Sequence, residues 1–290
     1  MIKKLNEQKA PILGKVVFWA LEDVSITRSE LEKLFEKHGL DKRFMPPVIS
    51  GRKAFNRVLR DFEKKEKQKL VRKIDETGDF IIYGIVDEEV DKENIDLDYE
   101  LVDAVIFDKV NEHIYLKLRR MDSDKINEHF SYFKANYTAD DIRKMITDCL
   151  LNGCNAFLLR RHGGVYFVPK DKIDTLEKLK KVVEEIGSSE FYCLDIYDAE
   201  ETRRTAIKLF KDEFVQELEE NSQKLIELLQ KDKPRADSIK SALEKFNHSK
   251  EKLEVFKQLL EFTMEDIEKK IKETEEKVRK LLLGELFTEQ

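Results

Sequence analysis

The sequence is short of the residues that interrupt regular structure or crosslink a chain. Its 290 residues include only 10 glycines, 5 prolines and 3 cysteines. Because few positions can break a helix or a strand, we expect long regular elements rather than a loop-rich fold. Three is an odd number of cysteines, which argues against a disulfide framework, so a reducing cytoplasm is the simplest location to predict.

Long apolar runs and targeting signals are missing as well. No run approaches the ~20 apolar residues that a membrane-spanning helix needs. Lys3 and Lys4 are followed by the polar stretch Asn6–Lys9, so we expect no signal peptide and no membrane contact. Charge and aromatic mass are abundant instead: 39% of the residues are charged, and 18 phenylalanines and 8 tyrosines can supply a core. This composition is not that of a disordered chain.

The apolar patterns predict an α+β fold with mostly antiparallel sheets, because strands and helices do not alternate as they do around a parallel sheet. Residues 12–120 are predicted as an N-terminal α+β domain and residues 121–197 as a second one. Residues 198–290 carry two apolar stripes of helical spacing on either side of a break at Lys231–Arg235. This pattern predicts a long antiparallel helical hairpin, similar to a coiled coil. The longer second arm should overhang and meet either the body or another chain.

Several helix boundaries can be placed from local signals. The segment Thr27–Glu30 has the spacing of a capping box, in which the two side chains bond each other's backbone amide. Gly39 is expected to end that helix. Ser50 and Thr138 are expected to cap two later helices, because a hydroxyl oxygen can accept a free amide of the first turn.

The most basic stretch of the chain follows Ser50. Residues 51–73 contain ten basic and three acidic side chains. From Thr27 to Val86 the predicted order is helix, connector, helix and hairpin, as in a winged helix-turn-helix, where the second helix enters the major groove and the hairpin touches the backbone. Arginine offers a two-pronged donor to guanine or phosphate. The predicted nucleic-acid-binding residues are therefore Arg52, Lys53, Arg57, Arg60, Arg72 and Lys73.

Two observations favour an ordinary solvated surface for the same segment. The formal net charge of the chain is −6, whereas proteins that depend on phosphate contacts are usually basic. The connector over residues 40–49 is also long for a tight helix-turn-helix. An α+β body with a solvated basic helix has the same order of elements, so this alternative stays open.

No other motif predicts a cofactor, a metal or a catalytic residue. Cys149, Cys154, His162 and Cys193 could supply four zinc ligands, but they lack a paired Cys-x2-Cys. The segment Arg160–Gly164 is predicted as a hairpin turn. Neither a Walker A sequence nor a Gly-x-Gly-x-x-Gly sequence is present.

The sequence thus predicts an intracellular interaction protein without catalytic activity. DNA is its predicted partner through the basic helix and hairpin, and a protein partner or a second copy is predicted to bind residues 198–290. Two alternatives stay open. One is a protein–protein adaptor that binds no nucleic acid, and the other is a metal-dependent nuclease or hydrolase with carboxylates near Asp195 and Asp198.

Overall fold

The computed structural model describes residues 11–65, 69–91, 96–118, 122–159, 164–231, 235–261 and 265–282. The helices are α1 (Arg28–His38), α2 (Gly51–Lys65), α3 (Ser123–Ala135), α4 (Ala139–Asp148), α5 (Ile173–Glu184), α6 (Glu200–Leu229), α7 (Ala236–Leu260) and α8 (Glu265–Leu282). The strands are β1 (Ile12–Ala20), β2 (Ile26–Thr27), β3 (Lys69–Glu76), β4 (Phe80–Asp91), β5 (Asp96–Asp108), β6 (His113–Leu116), β7 (Asn136–Tyr137), β8 (Phe157–Leu158), β9 (Tyr166–Pro169) and β10 (Glu190–Tyr197).

The predicted fold class is confirmed. The strands of the described residues pair antiparallel throughout, and the C-terminal region is helical. The described residues form two compact units: the first contains those up to residue 21, residues 38–40 and those from 145 onward, and the second contains those within 22–37 and 41–144. The domain boundaries expected from the sequence stay a prediction, because contacts within a chain do not report which segments fold independently.

The first unit is built on a four-stranded sheet with the order β10-β1-β9-β8. Its central strand β1 approaches β9 closely at Gly14. A β-carbon there would lie 2.3 Å from the carbonyl oxygen of Val168 and 2.5 Å from Cζ of Phe167. Only glycine fits this crossing without displacing its neighbours.

Phenylalanines join this sheet to the C-terminal helices. The Phe210 ring stacks on Phe256 with a centroid distance of 4.3 Å, and Phe157 of β8 packs edge-on against both rings, at 5.5 and 5.1 Å. All three side chains are almost fully buried. The apolar stripes predicted from the sequence therefore form one core with the sheet.

The C-terminal region is a three-helix bundle rather than a two-armed hairpin. Helices α6 and α7 run antiparallel, since Lys252 pairs with Glu217 while Glu261 pairs with Arg203 far earlier in α6. The predicted second arm ends at Glu261, which has a left-handed φ of +52°, and α8 then returns along α7. Within the described residues, the apolar stripe that was expected to overhang packs against the same chain.

Two polar side chains among the described residues are buried inside this bundle. The Lys252 side chain is only 2% exposed, and its Nζ lies 2.6 Å from Oε2 of Glu217. Ser249 is fully buried beside it and accepts a hydrogen bond of 3.1 Å from Asn221. A buried polar layer of this kind stabilises little but penalises other alignments of the helices.

The second unit contains the sheet β3-β4-β5-β6. Helix α2 packs on one face of it: the Phe55 ring stacks on Phe107 at 4.8 Å and meets Tyr83 edge-on at 5.6 Å. Phe130 of α3 extends this cluster through Phe107 at 5.7 Å. Aromatic contacts thus set the position of α2 on the sheet.

The local capping signals are confirmed. Thr27 and Glu30 exchange amide-to-side-chain hydrogen bonds of 2.9 and 3.3 Å, and Gly39 follows α1 with φ +65°. The Ser50 hydroxyl accepts the Lys53 amide at 3.3 Å and so caps α2. These bonds occupy amides that a helix start leaves free.

The winged-helix arrangement stays a prediction. The expected hairpin exists as β3 and β4, but β4 also pairs with β5 along its length, so the hairpin is the edge of a larger sheet. The connector before α2 is fixed by the buried Tyr137, whose hydroxyl donates to the Pro46 carbonyl at 3.1 Å. Arg28 donates to the same carbonyl at 3.0 Å.

Two further sequence expectations concern the membrane and the Arg160–Gly164 turn. No helix within the described residues combines the length and the apolarity that a membrane span requires. Strands β8 and β9 do form the expected antiparallel pair. Residues 160–163 between them, including His162, lie outside the described residues.

Candidate functional site

The basic side chains of α2 lie on the face opposite its apolar residues. Phe55, Val58 and Leu59 are buried, whereas Arg52 and Arg60 are exposed. This separation follows from the helical period, because residues four apart lie on the same side of a helix. The exposed face borders a cavity of about 500 Å³ within the second unit.

The walls of this cavity come from α2, the end of α3 and the first turns of α4. Its cationic side chains are Arg52, Lys53, Arg57, Arg60 and Lys144. Its carboxylates are Asp61, Asp140 and Asp141. The lining therefore has a formal charge of +2, although the whole chain is acidic. We call this space the α2 cavity.

Asp141 is the most buried charged group of the α2 cavity, with 2% of its side chain exposed. Lys53 donates to its Oδ1 at 2.6 Å, and Arg57 donates to its Oδ2. Burial would raise the pKa of the Asp141 carboxyl, but the hydrogen bonds from Lys53, the Thr138 amide and Arg57 outweigh burial and lower that pKa. Asp141 is thus held as a carboxylate between two cations.

The same carboxylate fixes the start of α4. Its Oδ2 accepts the Thr138 amide at 3.0 Å and the Thr138 hydroxyl at 3.3 Å. This differs from the predicted cap, since the Thr138 hydroxyl donates to Asp141, and the Asp141 amide bonds the Thr138 carbonyl oxygen at 2.9 Å. The carboxylate supplies the half of a capping box that reaches back to the preceding amide. One side chain both starts α4 and positions Lys53 and Arg57.

Glu76 at the end of β3 neutralises a second group of cations. Arg52, Lys73 and Lys109 lie within 3.1, 2.5 and 3.2 Å of its carboxylate oxygens. The hydrogen bonds from Lys73 and Lys109 lower the pKa of Glu76 to about 2. Arg52 and Lys73, two of the predicted DNA contacts, are therefore engaged within the chain.

Arg72 lies on the other face of the sheet. Lys73 pairs with Tyr83 across the β3–β4 ladder, and Tyr83 touches Phe55 of α2. Arg72 pairs with Gly84 instead. Since successive residues of a strand point to opposite faces, Arg72 faces away from α2. The six predicted residues are thus not brought to one surface.

Three groups of the α2 cavity keep unused capacity for hydrogen bonds. Within the described residues, Arg60 and Lys144 pair with no carboxylate, and both are exposed. Nη1 of Arg57 is buried without a hydrogen-bond partner. Since this nitrogen has almost no accessible surface, its missing bond is an internal cost of the arrangement around Asp141. The exposed Arg60 and Lys144 are the donors that a ligand can reach.

Lys144 was not predicted from the sequence. It belongs to α4, one turn after Asp140 and Asp141, in the segment predicted as a separate domain. Its helical spacing from Asp141 places the two on one face, but nothing in the local sequence indicates that this face meets α2.

The other candidates from the sequence are not gathered into a site. Asp195 pairs with Lys15 at 3.1 Å, and Asp198 pairs with Arg203 at 2.6 Å. Cys149 and Cys154 are buried, and burial raises the pKa of the Cys193 thiol. No group of three or more His, Cys, Asp or Glu side chains suited to a metal occurs in the part of the chain that the structure describes.

Fold and site together define an α+β protein with antiparallel sheets, a C-terminal three-helix bundle and a basic cavity beside α2. The chain belongs to a family of unknown function (DUF6744), whose model matches residues 12–285. None of the curated proteins is significantly similar to the chain in sequence.

Proposed function

We propose that the protein binds nucleic acid, with DNA as the expected partner, through phosphate groups held in the α2 cavity. The observation that carries this proposal is a pair of exposed cations, Arg60 and Lys144, which line the α2 cavity and pair with no carboxylate among the described residues. The lining of this cavity is net positive. A phosphate group would accept a charge-assisted hydrogen bond from each of the two side chains.

The distribution of charge supports an anion rather than a cation as ligand. Asp141 is already bonded to Lys53 and Arg57, while Arg60 and Lys144 keep their full charge. Field lines in a concave site concentrate on the ligand, so a local excess of cations attracts phosphate even on an acidic protein. The global charge of −6 then lowers non-specific binding without abolishing local capture.

This proposal changes the set of contact residues. Arg60 and Lys144 are the primary contacts, and Lys53 and Arg57 are shared with Asp141. Arg72 is left out, because it faces away from α2. Arg52 and Lys73 contribute only to the electrostatic potential around the α2 cavity, since Glu76 binds both side chains.

Fluorescence anisotropy with labelled duplex and single-stranded DNA tests the proposal. The double variant Arg60→Ala/Lys144→Ala should weaken binding at least tenfold, because each phosphate contact adds an electrostatic contribution to affinity. The matched control is Arg72→Ala/Lys33→Ala, which removes one exposed arginine and one exposed lysine of the same unit. Equal losses in both double variants would contradict the α2 cavity as the binding site. Absence of binding by the unmodified protein at low salt would contradict nucleic-acid binding itself.

The adaptor alternative, with a protein partner or a second copy on residues 198–290, has less support. None of the large, exposed hydrophobic side chains of the described residues lies in α6, α7 or α8. Stable self-association usually buries apolar surface. Light scattering over a concentration series tests the second copy: a mass that rises with concentration would favour self-association, and a constant monomer mass would contradict it.

A further inference from the structure

The α2 cavity also indicates which form of nucleic acid fits it. We infer that it binds a single strand rather than a duplex. One unpaired base lies against Phe133 and Asn56, and the phosphate beside it is held by Arg60 and Lys144. This inference rests on the proposed function and narrows its ligand. Two observations carry it: helix α4 stands against the basic face of α2, and the cavity lining includes an aromatic ring and an amide.

The first observation concerns the space in front of α2. Lys53 and Arg57 both bond Asp141, with 2.6 Å between Nζ of Lys53 and Oδ1 of Asp141, so the first turn of α4 lies directly against the basic face of α2. A recognition helix with its side chains is about 10–12 Å across, and it fills a major groove about 12 Å wide. The groove has no room for a second helix beside it. The basic face of α2 therefore cannot enter a duplex while these ion pairs hold.

A single strand is not subject to this restriction. Its bases can turn outward and stack on protein side chains, and its backbone can follow a concave surface. The α2 cavity has a volume of about 500 Å³, which is within the range of roughly 300–1,000 Å³ for pockets that hold small organic ligands. The cavity therefore suits one nucleotide of a flexible strand better than the rigid surface of a duplex.

The second observation is the uncharged part of the lining. Phe133 of α3 and Asn56 of α2 line the α2 cavity, and both are half-buried. No hydrogen bond within the described residues involves the Asn56 side chain. An aromatic ring can stack on the face of a base, and an amide offers both a donor and an acceptor to its edge. In a duplex the ring would have no base to stack on, because neighbouring base pairs cover both faces of each base.

The charged groups place a phosphate next to this base. Arg60 lies four positions after Asn56, so the two side chains are on the same side of α2, with β-carbons about 5–6 Å apart. Lys144 lines the same cavity from α4. Both cations are exposed and pair with no carboxylate within the described residues. A base at Asn56 and a phosphate at Arg60 are therefore close enough to belong to one nucleotide.

The test measures fluorescence anisotropy with one labelled oligonucleotide of mixed sequence, alone and annealed to its complement. We expect the single strand to bind at least tenfold more tightly than the duplex. Phe133→Leu keeps an apolar side chain but removes the ring, and it should weaken single-strand binding about fivefold or more, because it abolishes the stacking of one base. Phe133→Tyr keeps the ring and should retain the affinity of the unmodified protein.

The matched control is Tyr115→Leu. Tyr115 is an aromatic residue of the same unit and is 46% exposed. Its neighbour Ile114 pairs with Phe107, which contacts α2, so Tyr115 lies on the opposite face of the sheet. This variant should leave single-strand binding unchanged. Circular dichroism of each variant checks that a loss of binding is not a loss of folding.

The outcomes separate the inference from the proposed function. Duplex binding as tight as single-strand binding, weakened by Arg60→Ala/Lys144→Ala, would support nucleic-acid binding in the α2 cavity and overturn the single-strand inference. A preference for the single strand that Phe133→Leu leaves intact, or equal losses in Phe133→Leu and Tyr115→Leu, would overturn the assignment of the base to Phe133. Absence of binding to either form at low salt would overturn the proposed function and the inference with it.

Discussion

Replacing Asp141 with asparagine should make the second unit less stable and, at the same time, make it bind phosphate more tightly. The carboxylate is 2% exposed and is shared by Lys53 and Arg57, whose side chains are 37% and 14% exposed. Removal of one partner from a buried ion pair costs roughly 3–5 kcal/mol. Lys53 can regain water and asparagine keeps one acceptor oxygen, so we expect the free energy of unfolding to fall by about 2–3 kcal/mol.

Affinity should change in the opposite direction, because Asp141 competes with the ligand for the same two cations. At a separation of about 6 Å and an effective dielectric constant of about 20, two unit charges interact by about 2.8 kcal/mol. Solvent at the open side of the α2 cavity should reduce this repulsion by about half. The loss of the carboxylate should therefore raise phosphate affinity roughly tenfold.

Urea unfolding followed by far-ultraviolet circular dichroism measures the first effect, and anisotropy below the unfolding transition measures the second. Asp140→Asn is the matched control, since Asp140 precedes Asp141 in the same turn but is 74% exposed and pairs with the exposed Arg143. Its unfolding free energy should change by less than about 0.5 kcal/mol. If folded Asp141→Asn protein binds phosphate no better than the unmodified protein, the anion does not share the cations of Asp141 and the site is wrongly placed.

The stability effect should also depend on pH. The pKa of Asp141 is lowered in the folded protein, so its contribution to stability is complete above the unfolded pKa of about 3.9. That contribution is lost as pH falls through the folded pKa. The difference in unfolding free energy between the unmodified protein and Asp141→Asn should thus stay constant from neutral pH to about pH 5 and shrink below about pH 4. A difference that vanishes already near pH 6 would contradict the assigned ion pairs.

The remaining predictions concern the first unit and are measured by chemical denaturation. Lys252→Met should change the unfolding free energy by less than about 1 kcal/mol or increase it. Glu217→Ala should lower it by about 3 kcal/mol, because only this variant leaves a buried charge unpaired. A larger loss of stability in Lys252→Met than in Glu217→Ala would contradict this account of the pair. Gly14→Ala should cost about 2 kcal/mol or more, because its β-carbon would lie 2.3 Å from the Val168 carbonyl oxygen. Gly78→Ala, with open space around the added carbon, is its control and should change stability by less than about 0.5 kcal/mol.

The sequence predicts local structure in this chain better than it predicts ion pairing. The capping residues Thr27 and Ser50 act as expected because a cap depends on residues three positions apart. The Thr138 hydroxyl instead donates to Asp141. Asp141, in contrast, bonds Lys53 across 88 positions and Arg57 across 84. No pattern within one segment reports such a pairing, and the predicted division near residue 120 placed the partners in different domains.

The end of α7 is hidden from the sequence for a related reason. Its apolar stripe continues into α8 with helical spacing, and neither glycine nor proline marks the break. Glu261 adopts a left-handed φ of +52°, a conformation that costs a residue other than glycine roughly 1–2 kcal/mol. Contacts of α8 with α6 and α7, including the 2.6 Å ion pair between Lys257 and Glu268, offset that cost. Tertiary packing therefore decides where the helix ends.

Charge counted along a segment overstates the charge that a ligand can use. Six residues were predicted to contact DNA, and six phosphate contacts would give a slope of about −5 for log affinity against log salt concentration. Glu76 neutralises part of this charge and Asp141 another part, while Arg72 faces away. With Arg60 and Lys144 as free contacts and Arg57 shared with Asp141, the slope should be only about −2 to −3. A slope near −5 would mean that the ion pairs with Glu76 and Asp141 open when DNA binds. The cations of these pairs would then contact phosphate, as the sequence alone predicts.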